Sequence, residues 1–110
     1  MDVEIIPKKL KGSIDTIQSK SDAHRILICA ALCDCMDQII LDAPSEDIIA
    51  TTKALGILKG SKIANCKESG TTLRLLFPVA AALGLEVEFT GQGRLPKRPM
   101  EPMLTLLRKH

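Results

Sequence analysis

With 110 residues, 25% of them charged, and a net charge of +2 at neutral pH, the chain has room for one small domain with a modest core. Its only aromatic residues are Phe77 and Phe89, and together with so mild a charge this excludes the stacking platforms and basic surface of a nucleic-acid binder. No stretch approaches the roughly twenty uninterrupted apolar residues of a membrane span, and the start Met1-Asp2-Val3-Glu4 is acidic where a secretory leader is basic and then apolar, so the expected setting is cytoplasmic.

Along the chain, Val3 to Ile6 and Ser13 to Ile17 alternate apolar and polar residues, which predicts two strands with a turn near Lys11-Gly12. Residues 21 to 34 repeat apolar positions at helical spacing and become apolar almost all round, which predicts a deeply buried helix. Gln38 to Leu41 reads as a short strand. Ser45 is the expected cap of a second helix reaching about Leu58, with Glu46 and Asp47 suited to its first turn and Ile48, Ile49, Thr52 and Leu55 on its inner side. A third helix is expected from Ser69 to about Leu83, ended by Gly84, with Pro78 a kink or break inside it. Glu86 to Thr90 alternates as a strand, and Pro99 to Lys109 reads as a last helix. Strands alternating with helices make the fold class α/β, with three to four helices against a small mixed sheet.

Three segments carry chemistry. Ser19-Lys20-Ser21-Asp22-Ala23-His24-Arg25 places a lysine, hydroxyls and an arginine around the start of the first helix, where free backbone N–H groups and the positive end of the helix dipole favour an anion. Ser21 is the expected cap, and Arg25, four residues on, shares its face and can grip a carboxylate with two parallel bonds. Glu68-Ser69-Gly70-Thr71-Thr72-Leu73-Arg74 repeats the pattern at the third helix, where Gly70 allows close approach of a ligand to the backbone and Thr71 and Thr72 can cap or donate. Thr90-Gly91-Gln92-Gly93-Arg94-Leu95-Pro96-Lys97-Arg98-Pro99 is a turn-rich loop holding further cations. Each segment alone also fits an ordinary capped helix or a solvated basic loop. The four cysteines, Cys29, Cys33, Cys35 and Cys66, lack zinc-type spacing and read as buried free thiols, so no metal is expected. His24 can reach a ligand from within the first segment, and His110 is terminal.

In this order the three segments resemble the 5-enolpyruvylshikimate-3-phosphate (EPSP) synthase family: Ser-Lys-Ser-x-x-x-Arg stands at Ser19 to Arg25, Gly-Thr-x-x-Arg at Gly70 to Arg74, and Arg-x-x-x-Arg-Pro at Arg94 to Pro99. The resemblance extends over nearly the whole chain. It implies transfer of the enolpyruvyl group of phosphoenolpyruvate to the 5-hydroxyl of shikimate 3-phosphate, with phosphate released by addition and then elimination, and with no cofactor. It further implies that Lys20 contacts both substrates, that Ser21 and Arg25 hold shikimate 3-phosphate, that Gly70 and Arg98 hold phosphoenolpyruvate, and that Thr71, Arg74 and Arg94 support them.

The family is far longer than this chain and is built as two similar domains of βαβαββ-type units. The resemblance therefore implies an N-terminal part: residues 1–18 as opening strands belonging to the other domain, and 19–110 as a partial substrate-binding domain whose acid and base groups lie elsewhere, so that chemistry by this part alone is not expected. Between Leu58 and Lys67 the family carries an additional hairpin, on the order of twenty residues, where this chain has only Lys59 to Cys66. Glu68 stands where several relatives carry asparagine, and Gln18 where glycine or proline is common before the serine. Related UDP-N-acetylglucosamine enolpyruvyl transferases typically carry Lys-Asn where Lys20-Ser21 stands, and use a loop cysteine that this chain lacks after Cys66. A non-catalytic anion-binding or scaffold domain is the alternative of a different class, and unpaired edges would favour self-association.

Overall fold

The computed structural model describes residues 2–110. Residues 2–19 form no regular element, and the first helix, α1, runs from Lys20 to Leu32. A short helical turn at Met36–Gln38 leads to α2, Glu46–Ala54, which tightens into a 3-10 turn at Leu55–Lys59. Strand β1, Ile63–Asn65, helix α3, Gly70–Ala82, and strand β2, Glu88–Thr90, follow. A turn at Leu95–Lys97 precedes α4, Glu101–Leu107.

The unit that organises the chain is β1-α3-β2. Its strands pair in parallel, Ile63 opposite Glu88, Ala64 opposite Phe89 and Asn65 opposite Thr90. Parallel neighbours need a crossover of a dozen residues or more, and α3 supplies it. The sheet has two strands, so the α/β character rests mainly on helices: α1, α2 and α3 pack around Leu27, Ile48, Leu55, Ile57, Ala64 and Leu76. Phe77 and Phe89 tie α3 to β2 with ring centroids 5.2 Å apart. Burying a Leu or Ile side chain is worth roughly 2 to 3 kcal/mol, and this cluster is the main apolar stabilisation of the domain.

Several elements differ from the sequence reading, each for a physical reason. The strands expected at Val3 to Ile6 and Ser13 to Ile17 do not form, and Val3, Ile5, Ile6, Leu10, Ile14 and Ile17 are all exposed. A strand is a pairing, and these residues find no ladder partner among the described residues. Their extension accounts for a radius of gyration of 17.3 Å, against about 13 Å for a compact chain of this length. The strand expected at Gln38 to Leu41 is likewise absent, replaced by the turn at Met36–Gln38. In the opposite direction, β1 arises in a stretch expected to be a connection, because Ala64, fully buried, sits beneath the helices and β2 offers a ladder.

Pro78 does not break α3, which continues four residues beyond it. The ring removes only the hydrogen bond to the Arg74 carbonyl. At the far end Gly84 adopts a left-handed φ of 63°, and the Leu85 amide returns to the Ala80 carbonyl at 2.9 Å, the cap expected of glycine there. The connection from α2 to β1 is short, with Gly60 at φ 97° turning the chain directly from the 3-10 turn toward the strand, and no hairpin intervenes.

Candidate functional site

Both parallel strands point their carboxyl ends at the same place, and α3 begins there, an arrangement that in α/β folds opens a crevice for ligands. The two loops leaving the strands are stitched together: the Cys66 amide donates to the Thr90 carbonyl at 2.9 Å, and the Gln92 amide to the Lys67 carbonyl at 2.7 Å. Leu95, buried, anchors the basic loop against Gly91, where a Cβ would meet its Cδ2 at 2.7 Å. The chain then brings Arg98 back over the start of α3. A Cβ placed on Gly70 would lie 2.5 Å from the Arg98 Nη1, so the guanidinium occupies the space that only glycine leaves open. Two segments 28 residues apart in sequence thus meet at one helix start.

The start of α1 joins the same neighbourhood through α2. Lys20 Nζ lies 3.7 Å from the Asp47 carboxylate, in the first turn of α2, and the Thr72 hydroxyl of α3 approaches the Asp47 carbonyl at 3.4 Å. The starts of α1 and α3 are thus each tied to the first turn of α2, Lys20 through the Asp47 carboxylate and Thr72 through the Asp47 carbonyl.

The cap of α1 is Ser19, whose hydroxyl accepts from the Asp22 amide at 3.4 Å, and not Ser21 as the sequence reading had it. The helix starts one residue earlier than the apolar repeat suggested, so Ser21 stands inside the first turn with its side chain exposed. Ser69, expected as the first residue of α3, is its cap, accepting from the Thr72 amide at 3.1 Å. Ser45 holds the cap position of α2 without making the cap bond, and its buried hydroxyl has no partner among the described residues.

The remaining candidates are less engaged. Arg25 is exposed and pairs with Asp22 on its own helix at 3.3 Å, roughly a hundred degrees round from the buried His24. Thr71, Arg74 and Arg94 are exposed, and Arg74, Arg94 and Arg98 form no ion pair among the described residues. The adjoining cleft, about 380 Å³, is lined by Glu46, Asp47, Lys67, Glu68 and Gln92. Beside Glu68, Glu46 and Asp47 add acidity that the sequence does not place here. Lys67 Nζ lies 3.4 Å from Glu46, and Glu68 packs so closely on Gly93 that a Cβ there would overlap its carboxylate.

His24, which the sequence left able to reach a ligand, is instead buried, with Nδ1 2.7 Å from the Thr51 hydroxyl. Burial holds its pKa below the ordinary 6.5, the nearby Asp47 partly opposes this, and Lys20 adds to it. Thr51 and Thr72 are both fully buried and touch at 2.7 Å, and Thr72 donates to the Ser69 hydroxyl at 2.7 Å. The inward face of α2 carries Ile48, Ala50, Thr51 and Ala54, and Thr52 points outward, its hydroxyl returned to the Ile48 carbonyl. Thr72, expected to cap or donate at the helix start, is turned into the core, and Thr51 is the member the sequence does not reveal: phasing α2 on Thr52 and Leu55 leaves it outside, and phasing it on Ala50 and Ala54 puts it inside. The cysteines expected to be buried are exposed at Cys29 and Cys33, and Cys66 is buried. Among the described residues no group of histidine, cysteine or acidic side chains is arranged to hold a metal, and no helix is long and apolar enough to cross a membrane.

The family model for EPSP synthase (3-phosphoshikimate 1-carboxyvinyltransferase) matches residues 58–110. The chain is 41% identical over 89% of its length to the 3-phosphoshikimate 1-carboxyvinyltransferase of Clostridium kluyveri, and 42% identical over 90% of its length to that of Clostridium perfringens. The counterpart in Clostridioides difficile is 33% identical over 90% of this chain. The chain spans about 28% of the length of the first two relatives. The first alignment runs over 118 positions, although 89% of this chain is only about 98 residues, so some 20 positions have no residue here. That is the size of the hairpin expected to be missing. No solved structure matches the chain significantly.

Proposed function

Because the chain belongs to the EPSP synthase family, we propose that it provides one wall of an anion site for transfer of an enolpyruvyl group from phosphoenolpyruvate to shikimate 3-phosphate in the cytoplasm. Residues 19–110 act as the partial substrate-binding domain, and residues 1–18 serve as strands for a second domain. The observation that carries this reading is the Arg98 guanidinium lying over Gly70 at the start of α3. A carboxylate or phosphate there meets a guanidinium and the backbone N–H groups of a helix start at once. In this reading Lys20 stands between the two substrates, Ser21 and Arg25 take the shikimate 3-phosphate, and Gly70 with Arg98 takes phosphoenolpyruvate. Thr71, Arg74 and Arg94 add donors and positive potential.

Holding two polyanions side by side while charge shifts at the enol ether carbon is a task for preorganised cations, which need no rearrangement as the charge develops. The buried histidine is engaged by Thr51, and the carboxylates of Asp47 and Glu46 face Lys20 and Lys67, so we assign none of them a proton transfer. The wall therefore binds and orients, and proton transfer falls to the remaining length that the relatives possess.

A second reading is favoured by the acidic cleft: Lys20 faces Asp47, Lys67 faces Glu46, and the domain is then an anion-binding scaffold of low affinity. Titrating the chain with shikimate 3-phosphate, and then with phosphoenolpyruvate, while following the amide resonances of Lys20, Ser21 and Gly70 separates the two. The half-site reading expects saturable shifts clustered at these three amides. No perturbation at millimolar ligand leaves only the scaffold. The exposed apolar side chains of residues 2–17 further suggest self-association, which light scattering over a concentration series detects and a constant monomer mass refutes.

A further inference from the structure

We propose that His24, Thr51, Thr72 and Ser69 form a buried positioning relay that fixes the start of α1 against the start of α3, and so sets the distance between Lys20 and the Gly70-Arg98 pair. The proposal rests on the anion-site reading for its purpose, and on geometry for its existence.

Four polar side chains from three helices and a cap are packed into the core with at most 3% of any of them exposed. Their contacts are His24 Nδ1 to Thr51, Thr51 to Thr72 and Thr72 to Ser69, each 2.7 Å. Burying such groups costs free energy that hydrogen bonding at best returns, whereas valine or leucine would fill the same space without that cost. What hydrogen bonds add over apolar contact is direction: a methyl tolerates sliding by an ångström, and a 2.7 Å bond does not.

The ends of the relay lie where position matters. His24 is one helical turn after Lys20 and on the same stripe of α1, while Ser69 caps α3 immediately before Gly70. Thr51 lies one turn after Asp47, the residue that faces Lys20. Donation also has one consistent sense. The single hydroxyl proton of Thr72 is directed to Ser69 or to the Asp47 carbonyl, so Thr72 accepts from Thr51, which in turn accepts from the Nδ1–H of His24. Every link then depends on its neighbour, and removing one hydroxyl frees the helices on both sides of it. The charged groups facing the histidine are Lys20 from α1 and Asp47 from α2.

The test compares Thr51→Val, which keeps the shape and removes the hydroxyl, with Thr51→Ser, which keeps the hydroxyl and loses a methyl. Residual dipolar couplings report the relative orientation of α1 and α3, and titration with inorganic phosphate reports the site. The expected result is that Thr51→Val changes the interhelical orientation and weakens phosphate binding about tenfold, while Thr51→Ser restores the orientation and comes within about twofold of the original affinity. Thr72→Val, on the next link, reads the same way and serves if Thr51→Val fails to fold. Wild-type orientation in either valine variant overturns the relay, as does a Thr51→Ser variant no closer to wild type than Thr51→Val. If the unmodified chain shows no phosphate-dependent shifts, the anion-site reading fails, and the orientation comparison still decides the relay.

Discussion

Replacing Gly70 with alanine should make the domain more stable and its anion site worse. The new Cβ would lie 2.5 Å from Arg98 Nη1, where ordinary contact begins near 3.4 Å, so the guanidinium must retreat by about 0.9 Å. It can do so cheaply, because the clash is with the end of a flexible exposed side chain and not with backbone. The other near atoms, Arg98 Cζ and Cδ, are at ordinary distances of 3.6 and 3.7 Å. Gly70 has no left-handed φ to defend, and alanine in a first helical turn reduces the freedom of the unfolded chain, worth about 0.5 to 1 kcal/mol. For a domain of this size that raises Tm by roughly 2 to 6 °C. Displacing a charge-assisted donor by nearly an ångström, by contrast, should cost about 1.4 kcal/mol of binding, or tenfold.

The assay is a thermal melt by circular dichroism beside a phosphate titration followed by amide shifts. Because the substitution acts through Arg98, the double variant Gly70→Ala/Arg98→Ala should bind no more weakly than Arg98→Ala alone, a non-additivity that a double-mutant cycle reads directly. A Gly70→Ala protein with unchanged phosphate affinity refutes the placement of Arg98 in the site, and additive losses refute the route through its guanidinium.

Three further outcomes are expected. Lowering the pH below 6.5 should destabilise the fold, because burial holds the His24 pKa down and the unfolded chain takes up a proton before the folded one does. Denaturant midpoints at pH 7.5 and 5.5 should differ, and less so in His24→Gln. Alkylation should modify exposed Cys29 and Cys33 first and Cys66 last, since Cys66 is fully buried and its thiol is pushed up to about 11; mass spectrometry showing Cys66 labelled as fast as Cys29 counts against this packing. Leu76→Ala, at a fully buried position where α3 meets the core, should cost about 3 kcal/mol and lower Tm by some 12 °C, and a change under about 1 kcal/mol means the core is not packed as described.

The helices were legible in the sequence and the strands were not. Helices carry their own hydrogen bonds and announce themselves through period and cap, as Ser69-Gly70 and Gly84 do at the two ends of α3. A strand exists only with a partner. Val3 to Ile6 has the alternation without a ladder, and Ile63–Asn65 has a ladder in β2 without enough length for alternation to show. The three local signatures were legible, and the structure sets two of them side by side where Arg98 lies over Gly70. The relay was not legible. Its members lie 27 and 21 residues apart along the chain, and only the packing of α2 between α1 and α3 makes Thr51 the bridge.

The same packing explains how acidic and basic groups coexist at this surface. The first turn of α2 carries Glu46 and Asp47, as a helix start prefers, and three helix starts crowd together, so the acids that stabilise α2 necessarily face the cations of its neighbours. Lys20 is 55% and Asp47 42% exposed at 3.7 Å, a separation and exposure at which an ion pair contributes between zero and about 1 kcal/mol. In the proposed site a dianion that also collects Arg98 and helix-start amides would offer Lys20 more than that, which makes Asp47 a placeholder and not a block. Asp47→Asn should accordingly change phosphate affinity by less than about fivefold in either direction. A larger gain would mean that the carboxylate is the true occupant of the site and that the scaffold reading is the better one, because the cations would then exist to hold the three helix starts together.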